Sequence, residues 1–264
     1  WCRIANFCFW DTPQMELAGK TLGIIGFGRI GQAVGKLAKA FGMKVITYNR
    51  SQCEEGRQIA EYVDLETLFT QSDIISLHCP LFPETAGMIN DETIAKMKDG
   101  VVILNFARGD LVVTEDIIEA VASGKVAKYV TDFADEALLN KRNIIVFPHL
   151  GASTPESEDN CARMAVKQVI DYIENGNIVN SVNFPTVSEP RRTKYRVCII
   201  HKNVPNMLAQ FATLLANKNM NIENMVNKAK GDYAYTLIDT NDLTEDIVDA
   251  IKNQSNVINV RVLN

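Results

Sequence analysis

Short apolar runs alternate with amphipathic helical patterns over residues 1–150. The apolar runs lie at residues 21–25, 44–48, 73–79, 101–107, 128–133 and 143–147. Between the first two runs, apolar residues recur at helical spacing from Ile30 to Phe41, and Gly42 is a typical helix stop. Continuous apolar strands separated by helices are typical of a parallel sheet that is covered on both faces. The pattern therefore predicts an α/β fold, with a doubly wound parallel sheet over residues 1–150.

The chain after residue 150 begins with a different pattern. Thr154 and Pro155 provide an N-cap and a first-turn proline for a long helix, and Gly176 ends it. The segment 180–194 then contains two prolines and shows no periodicity. We interpret residues 151–193 as a helix followed by a linker.

Residues 194–264 predict a second, smaller domain. The expected elements are a strand at 195–201, a helix at 205–218, strands at 222–227 and 233–239, a helix at 244–253 and a strand at 257–263. This β-α-β-β-α-β order is the ferredoxin-like arrangement.

Composition excludes several classes of partner. The hydrophobic and charged fractions are 47% and 22%, and the net charge of −5 does not favour nucleic acid, which binds basic surfaces. No run approaches the ~18 apolar residues of a membrane span, and the first residues lack the features of a signal peptide. Six cysteines without a CxxC pair are typical of reduced thiols. We therefore expect a cytoplasmic protein without membrane, nucleic-acid or metal partners.

A glycine-rich turn, GFGRIG at residues 26–31, directly follows the first apolar run. Gly26 permits a sharp turn, Gly28 lets the backbone approach a pyrophosphate, and Gly31 lets the helix pack closely on the strand. The helix N-terminus adds amide donors and a partial positive charge. Because a strand precedes the turn and an amphipathic helix follows it, we predict a Rossmann-type dinucleotide site.

The position that discriminates NAD from NADP holds an asparagine. An acidic residue about 20 positions after the glycine turn usually accepts the ribose hydroxyls of NAD. Here the second strand leads into Asn49, Arg50 and Ser51. A neutral amide beside a guanidinium would tolerate the 2′-phosphate of NADP, whereas Asn49 could equally bond the ribose of NAD. NAD is the expected cofactor, and NADP stays open.

Polar side chains follow three neighbouring strands, at the sheet edge where ligands of open α/β sheets bind. His149 can exchange a proton with a carbonyl or hydroxyl oxygen. Arg108 can hold a carboxylate with two parallel hydrogen bonds. A third strand end carries the carboxylates of Asp132, Asp135 and Glu136, one of which could orient the histidine. Together these groups suit a hydride-transfer site.

Motifs along residues 20–185 resemble those of the D-2-hydroxyacid dehydrogenase family. They are GFGRIG, the HCP strand end at residues 78–80, NFARG, TDFADE and PHLGAST. The resemblance implies hydride transfer between a nicotinamide cofactor and a small 2-hydroxy or 2-oxo acid. It further implies Arg108 as the ligand of the substrate carboxylate and His149 as the acid/base.

The resemblance also implies a glutamate that supports the histidine. The TDFADE segment is one residue short of the family pattern, so alignment places either Glu136 or Ala137 in that role. We choose Glu136, with Asp135 as a competitor. Beside the glycines of the turn, the implied cofactor contacts are Arg29, Ile30, Asn49, Cys79, Ala107, Asp132, His149 and Gly151.

The β-α-β-β-α-β segment resembles the ACT domain of the phosphoglycerate dehydrogenases of serine biosynthesis. His201 and Asn203 match the H-x-N-x-P turn that binds L-serine between paired ACT domains, and Asn221 matches a further serine-contacting asparagine. Asn206 stands where that turn usually has glycine, which would weaken binding of the effector. In the alternative interpretation, His201 and Asn203 only cap the helix that begins near Pro205.

Different regions favour different substrates. Residues 1–98 resemble glycerate and hydroxypyruvate reductases, and the later part resembles phosphoglycerate dehydrogenases. The ACT resemblance favours interconversion of D-3-phosphoglycerate and 3-phosphohydroxypyruvate, with L-serine as effector. A hydroxypyruvate or glyoxylate reductase is the alternative. A non-catalytic nicotinamide or amino-acid sensor is a third interpretation, against which the presence of Arg108, Glu136 and His149 argues.

The resemblance implies a further lobe and an assembly. Members of the family carry a substrate-binding lobe ahead of the point where this chain starts, and the chain begins at Trp1 rather than at Met. The helix after Thr154 would lead back to that lobe. We expect the chain alone to bind cofactor but to turn over poorly, since hydride transfer requires substrate at near-attack distance. The resemblance also implies a homodimer or homotetramer.

Overall fold

A computed structural model of the protein describes residues 15–264, which form two compact units. The first unit ends at Leu150 and the second begins at Gly151. Residues 1–14, which carry part of the resemblance to reductases, lie outside the described residues. No helix within residues 15–264 is long and apolar enough to cross a membrane.

The first unit contains a seven-stranded, wholly parallel sheet in the order β3-β2-β1-β4-β5-β6-β7. Its strands are β1 Thr21–Ile25, β2 Lys44–Tyr48, β3 Glu61–Tyr62, β4 Ile74–Leu77, β5 Val101–Asn105, β6 Val126–Thr131 and β7 Ile144–Val146. Its helices are α1 Arg29–Ala40, α2 Glu54–Arg57, α3 Leu65–Gln71, α4 Asp91–Lys96 and α5 Thr114–Ser123. The predicted doubly wound parallel sheet is confirmed.

Two apolar clusters cover the two faces of this sheet. Alternate residues of β1 divide between them, since Ile24 belongs to one cluster and Ile25 to the other. Helices α3, α4 and α5 pack on the face of Ile25, and α1 packs on the face of Ile24. Burial on both faces explains why the strands appear in the sequence as continuous apolar runs.

The predicted strand ends need a correction. Strands β4, β5 and β6 stop at Leu77, Asn105 and Thr131, each before the predicted end. The residues that follow are therefore in loops at the carboxyl edge of the sheet. The short strand β3 was not predicted, because two residues make no recognisable pattern.

Helix α1 packs on the sheet through a face of small side chains. Its buried residues are Gly31, Gly35 and Ala38. A Cβ on Gly35 would lie 3.1 Å from Ile59 and 3.3 Å from Phe27, so helix and core are in close contact. The helix ends before Gly42, as predicted, and Gly42 has a φ of 77°.

The second unit begins with the long helix α6, Pro155–Asn175. The Thr154 hydroxyl accepts a hydrogen bond of 3.2 Å from the Ser157 amide, and Gly176 ends the helix in the left-handed region. Both predicted ends of this helix are confirmed.

A four-stranded antiparallel sheet in the order β11-β8-β10-β9 follows. Its strands are β8 Tyr195–Lys202, β9 Asn224–Lys230, β10 Tyr233–Thr240 and β11 Val257–Leu263, and its helices are α7 Met207–Ala216 and α8 Glu245–Lys252. The predicted β-α-β-β-α-β order is confirmed. An apolar cluster that includes Ile199, Phe211 and Ile247 joins both helices to the sheet.

The predicted linker is not a loose segment. Ile178 and Val187 form an antiparallel bridge, and Val187 is fully buried. The Asn177 amide donates to Asp171 on α6, and its oxygen accepts from the Glu189 amide at 3.0 Å. The end of α6, the linker and the sheet thus pack as one body.

The centre of this packing is a fully buried arginine. Arg196 on β8 donates to both carboxylate oxygens of Asp239 on β10, at 2.6 and 2.7 Å. It also donates to three backbone carbonyl oxygens, those of Asn175, Glu189 and Pro190. All of the guanidinium's bonding directions are therefore used inside the unit, which is the condition for burying such a charge.

Side chains of β11 and β10 also hold the end of α6. The Arg261 guanidinium lies 4.2 Å from the centroid of the Tyr172 ring and donates to the Tyr172 carbonyl. The Tyr235 hydroxyl donates to the Gly176 carbonyl at 2.7 Å.

Candidate active site

The candidate site lies at the carboxyl edge of the parallel sheet. The strand order reverses between β1 and β4, and ligands of open α/β sheets bind outside such a point. A cavity of about 530 Å³ lies at the ends of β1, β2 and β4 and includes Gly26, Asn49, Arg50 and Cys79 in its wall. A second cavity, of about 560 Å³, lies by the ends of β5 and β6 and includes Arg108.

The glycine turn is as tight as predicted. Gly26 has a φ of 94°, and a Cβ there would lie 2.5 Å from the Cys79 amide nitrogen. A Cβ on Gly31 would lie 2.3 Å from the Gly26 carbonyl oxygen, whereas one on Gly28 would meet no atom within 4 Å. The turn is thus closed on its inner side at Gly26 and Gly31 and open at Gly28, which is the cap residue of α1. Amides at a helix N-terminus in this setting suit phosphate groups.

Residues near the turn occupy different positions. Ile30, in the first turn of α1, is 68% exposed. Cys79 is half-buried against Met88, with a sulfur–sulfur distance of 3.8 Å, and burial raises the pKa of its thiol. The neighbouring His78 bonds the Ser76 hydroxyl at 2.8 Å, and burial lowers the pKa of its ring. A neutral, enclosed His78 is poorly placed to exchange protons with a substrate.

Asn49 joins two loops in the wall of the first cavity, the one at the ends of β1, β2 and β4. Its side-chain oxygen accepts from the Phe27 amide at 3.1 Å, and its Nδ2 donates to the Ser51 carbonyl at 2.5 Å. An aspartate could keep the first bond but not the second. The structure therefore gives a local reason for the asparagine, separate from cofactor choice.

Arg108 stands at a turn that a buried asparagine holds in place. Asn105 donates from Nδ2 to the Arg108 carbonyl at 2.9 Å, and its oxygen accepts from the Ala107 amide at 3.2 Å. The Arg108 side chain is exposed, and Nη1 donates to the Ala107 carbonyl at 2.6 Å. Sequence reasoning missed Asn105; its signal was a polar residue at the end of an apolar run.

His149 lies beside the residue that follows β6. Its Nδ1 lies 3.0 Å from Oδ2 of Asp132, with the histidine side chain 60% exposed and the aspartate side chain 11% exposed. The Phe133 ring lies against the imidazole, with 5.0 Å between the ring centroids. A carboxylate can only accept, so a proton on Nδ1 would face Asp132 and would leave Nε2 for a substrate.

The carboxylate on His149 is thus not the predicted one. Glu136 is exposed in a short 3₁₀ helix, Glu136–Leu138, that Asp135 caps. Asp135 accepts from the Ala137 amide at 2.9 Å and from the Thr114 hydroxyl at 3.2 Å. The prediction that Glu136 or Asp135 partners the histidine therefore finds no contact in the structure.

The other carboxylate oxygen bears on the cofactor. Oδ1 of Asp132 is buried and has no hydrogen-bond partner within residues 15–264. Buried acceptors are normally satisfied, so this atom fits a ligand that carries an N–H donor, such as the carboxamide of a nicotinamide. The remaining predicted contact, Gly151, is exposed at the start of the second unit. No group of His, Cys, Asp and Glu within residues 15–264 could hold a metal ion.

The predicted effector residues differ in exposure. His201 is 2% exposed, and both ring nitrogens are bonded, Nδ1 to the Lys202 carbonyl at 2.8 Å and Nε2 to the Thr236 hydroxyl at 2.9 Å. Its ring also packs edge-on against Phe211 on α7. The ring of His201 therefore points into the unit in this structure, and its contact with an effector stays a prediction.

The two asparagines are on the surface instead. Asn203 donates to the Gly231 carbonyl at 3.2 Å, and Asn221 donates to the Glu223 carboxylate at 3.0 Å. The alternative interpretation, in which His201 and Asn203 cap the following helix, is also wrong. The cap residue of α7 is Asn206, at a φ of 73° and without a side-chain cap bond.

Comparison with known proteins agrees with this geometry. The NAD-binding domain model of the D-isomer specific 2-hydroxyacid dehydrogenases matches residues 9–151. A crystal structure of a glyoxylate reductase from Paecilomyes thermophila is 37% identical, with a TM-score of 0.61, over 65% of this chain and 54% of that chain.

The similar proteins include both hydroxypyruvate reductases and D-3-phosphoglycerate dehydrogenases. A hydroxypyruvate reductase of Blautia hydrogenotrophica is 46% identical over 192 residues, covering 69% of this chain and 59% of that protein. D-3-phosphoglycerate dehydrogenase 1 of Saccharomyces cerevisiae is 33% identical over 291 aligned residues, covering 100% of this chain and 60% of that protein. The chain thus spans about 60% of the length of these relatives. The family match covers more than half of the chain and confirms NAD as the cofactor, and the chain belongs to the D-isomer specific 2-hydroxyacid dehydrogenase family.

Proposed function

We propose that the protein is an NAD-dependent dehydrogenase of D-3-phosphoglycerate, which it interconverts with 3-phosphohydroxypyruvate. The observation that carries the chemistry is the His149–Asp132 pair at the carboxyl edge of the sheet. The observation that favours this substrate is the share of this chain that each relative matches. The match to the yeast phosphoglycerate dehydrogenase spans both units, whereas that to the bacterial hydroxypyruvate reductase spans 69% of the chain.

The residues have separate roles in this reaction. When bound, NAD would supply the acceptor for the hydride from the carbon that bears the hydroxyl group. His149 takes the hydroxyl proton on Nε2, the nitrogen that its aspartate leaves available, and returns it in the reverse direction. Arg108 binds the substrate carboxylate and so fixes the reacting carbon. The side chain is exposed and bonds its own loop, so a carboxylate can displace the Ala107 carbonyl.

The second unit is proposed to be an ACT domain that responds to L-serine. Asn203 and Asn221 are exposed and can bond the effector directly. The buried His201 then supports the turn rather than contacting the ligand. By resemblance to the family, the working form is a homodimer or homotetramer.

A hydroxypyruvate or glyoxylate reductase is the second candidate. The higher identity to the Blautia reductase, 46% against 33%, favours it for the first unit. The deciding experiment follows oxidation of NADH and NADPH by the full-length protein with 3-phosphohydroxypyruvate, hydroxypyruvate and glyoxylate, with and without L-serine. Turnover of the phosphorylated acid that serine suppresses would support the proposal. Faster use of the unphosphorylated acids and no response to serine would favour the reductase.

NADP is a proposed second cofactor. Arg50 and Ser51 line the cofactor cavity and can bind a 2′-phosphate, although the Glu84 carboxylate is in the same wall. In an Asn49→Asp variant, we expect the ratio of the NADPH to the NADH dissociation constant to rise about 10-fold, because a carboxylate repels the phosphate. Arg50→Gln is the matched variant. If it leaves NADPH binding unchanged, the arginine does not serve the phosphate.

A further inference from the structure

We infer that His201, Thr236 and Asn227 form a proton-linked switch that runs from the interior of the second unit to its surface. The three side chains lie on the neighbouring strands β8, β10 and β9. Nε2 of His201 lies 2.9 Å from the Thr236 hydroxyl, which in turn lies 2.9 Å from Oδ1 of Asn227. His201 and Thr236 are buried, whereas Asn227 is exposed on the edge strand β9.

The partners along this line determine how many protons the ring carries. The Lys202 carbonyl lies 2.8 Å from Nδ1 and can only accept, so the proton on Nδ1 faces it. The Thr236 hydroxyl has one proton, which it donates to Oδ1 of Asn227. In this arrangement the hydroxyl oxygen accepts from Nε2, and His201 is doubly protonated and charged.

A neutral ring fits the same positions after one rotation. When the exposed Asn227 amide turns end for end, its Nδ2 faces the hydroxyl of Thr236 and donates to it. The hydroxyl proton then points to Nε2 of His201, and only Nδ1 is protonated. A charged ring thus leaves the N–H donors of Asn227 for the surface, and a neutral ring leaves its carbonyl oxygen.

The surroundings of His201 allow both states. Ala234 and Val257 pair with it on the adjacent strands, Phe211 packs edge-on, and α7 contains no charged residue. Tyr195 shares its face but lies at the other end of β8, and the charged residues of α8 are exposed. Because strand side chains alternate, the other titratable groups nearby are on the opposite face: Lys202, Lys228, Lys230, Tyr233, Tyr235 and Arg261. Burial away from charges favours the neutral ring, and the line of acceptors favours the charged one.

The switch lies between the predicted effector residues, and its link to the effector rests on the proposed function. Strand β9 begins shortly after Asn221 and ends just before Gly231, whose carbonyl accepts from Asn203. The N–H donors that Asn227 presents beside a charged His201 suit a carboxylate. We therefore expect L-serine to bind more tightly at lower pH.

The test follows the ring nitrogens of His201 by ¹⁵N NMR of the histidine-labelled full-length protein, from about pH 5 to about pH 8. A His201→Gln variant assigns the signals. At pH ~6.5, the ordinary pKa of histidine, we expect Asn227→Asp to raise the ratio of charged to neutral ring about 10-fold, because a carboxylate only accepts. Asn227→Leu removes the acceptor and should lower this ratio about 10-fold.

Asn224→Asp is the matched control, with the same change on the other face of β9. We expect it to leave the ratio almost unchanged. Equal ratios in the two Asn227 variants would overturn the inference. An equal rise in Asn224→Asp would also overturn it, because added charge alone would then explain the result. A His201 ring that is protonated only on Nε2 would contradict the hydrogen bond to the Lys202 carbonyl and so the switch.

Calorimetric titration with L-serine tests the link to the effector. We expect the affinity of the wild-type protein to rise about 5-fold from about pH 8 to about pH 6, as for one added hydrogen bond, and that of Asn227→Leu to stay constant. A wild-type affinity that does not depend on pH would refute the link. L-serine that binds at neither pH would contradict the proposed effector, whereas the NMR result would still decide the switch.

Discussion

Two selected contacts, one from each unit, place an aspartate beside a nitrogen-bearing side chain in opposite surroundings. The His149–Asp132 pair measures 3.0 Å with a histidine that is 60% exposed, and the Arg196–Asp239 pair measures 2.6 Å with an arginine that is 0% exposed. His149 keeps one nitrogen free for an incoming molecule. Arg196 uses every donor on its own chain, and the hydrogen bonds to Asp239 raise its pKa above the ordinary value. Exposure and unused bonding capacity, rather than pairing itself, therefore distinguish the pair that can take part in chemistry.

The largest expected effect tests the exposed pair. We expect His149→Gln to lower kcat of the full-length protein by about 10² to 10⁴, because general acid–base catalysis is lost. NADH affinity and thermal stability should change little, since the ring is exposed and the glutamine amide can still donate to Asp132. A variant that retained wild-type kcat would remove His149 from the mechanism, whereas a wild-type protein without turnover would favour the sensor interpretation.

The buried pair should show the reverse pattern. We expect Arg196→Met to lower the free energy of unfolding of the second unit by about 3–5 kcal/mol, because Asp239 is left buried and uncompensated. NADH binding by the first unit should be unaffected. Denaturant unfolding and NADH titration on the same variant separate the two outcomes. A variant with intact stability and reduced NADH affinity would show that the buried pair serves cofactor binding rather than the stability of the second unit.

His201 is a histidine in surroundings like those of Arg196, because both side chains are buried and hydrogen-bonded inside the second unit. Thr236→Val removes the hydroxyl that bonds Nε2 of His201 and donates to Asn227, and it leaves the buried ring nitrogen without that partner. We expect a loss of about 1–3 kcal/mol in the free energy of unfolding. Thr213→Val, on the exposed side of α7, is the control and should have almost no effect. Equal stability of the two variants would show that the Thr236 bond contributes nothing.

The smallest effect concerns an exposed ion pair in the second unit. The hydrogen bond from Lys218, at 2.7 Å, lowers the pKa of Asp246 to about 2. Such a pair stabilises the fold above the ordinary aspartate pKa of about 3.9 and ceases to do so as the pH falls through about 2. Lys218→Met should therefore melt slightly below the wild-type protein at pH 7, and the two melting temperatures should converge near pH 2. A constant difference between the two pH values would contradict this account.

Local patterns predicted most of the fold because each depends on neighbouring residues. The run at 21–25 followed by Gly26, Gly28 and Gly31 specifies strand, turn and helix without reference to the rest of the chain. The same holds for the long helix, whose two ends are marked by Thr154 and Gly176. Two predicted strands ran past their true ends because apolar residues continue into the loops, at Phe106 and Phe133.

Contacts between distant residues could not be predicted in the same way. The choice among Asp132, Asp135 and Glu136 depends on a 3₁₀ helix of three residues that uses Asp135 as its cap. The burial of His201 depends on the pairing of β8 with β10, which brings Thr236 to its ring. Neither fact has a signature within a short window of sequence.

The buried arginine also determines where the second unit can be cut or transplanted. A chimera that received only the chain from Tyr195 onward would inherit the guanidinium but leave behind the carbonyls of Asn175, Glu189 and Pro190. It would also lose the α6 ring on which Arg261 stacks. The portable module therefore starts near Thr154, and recombination between family members should preserve the helix, the linker and the sheet together.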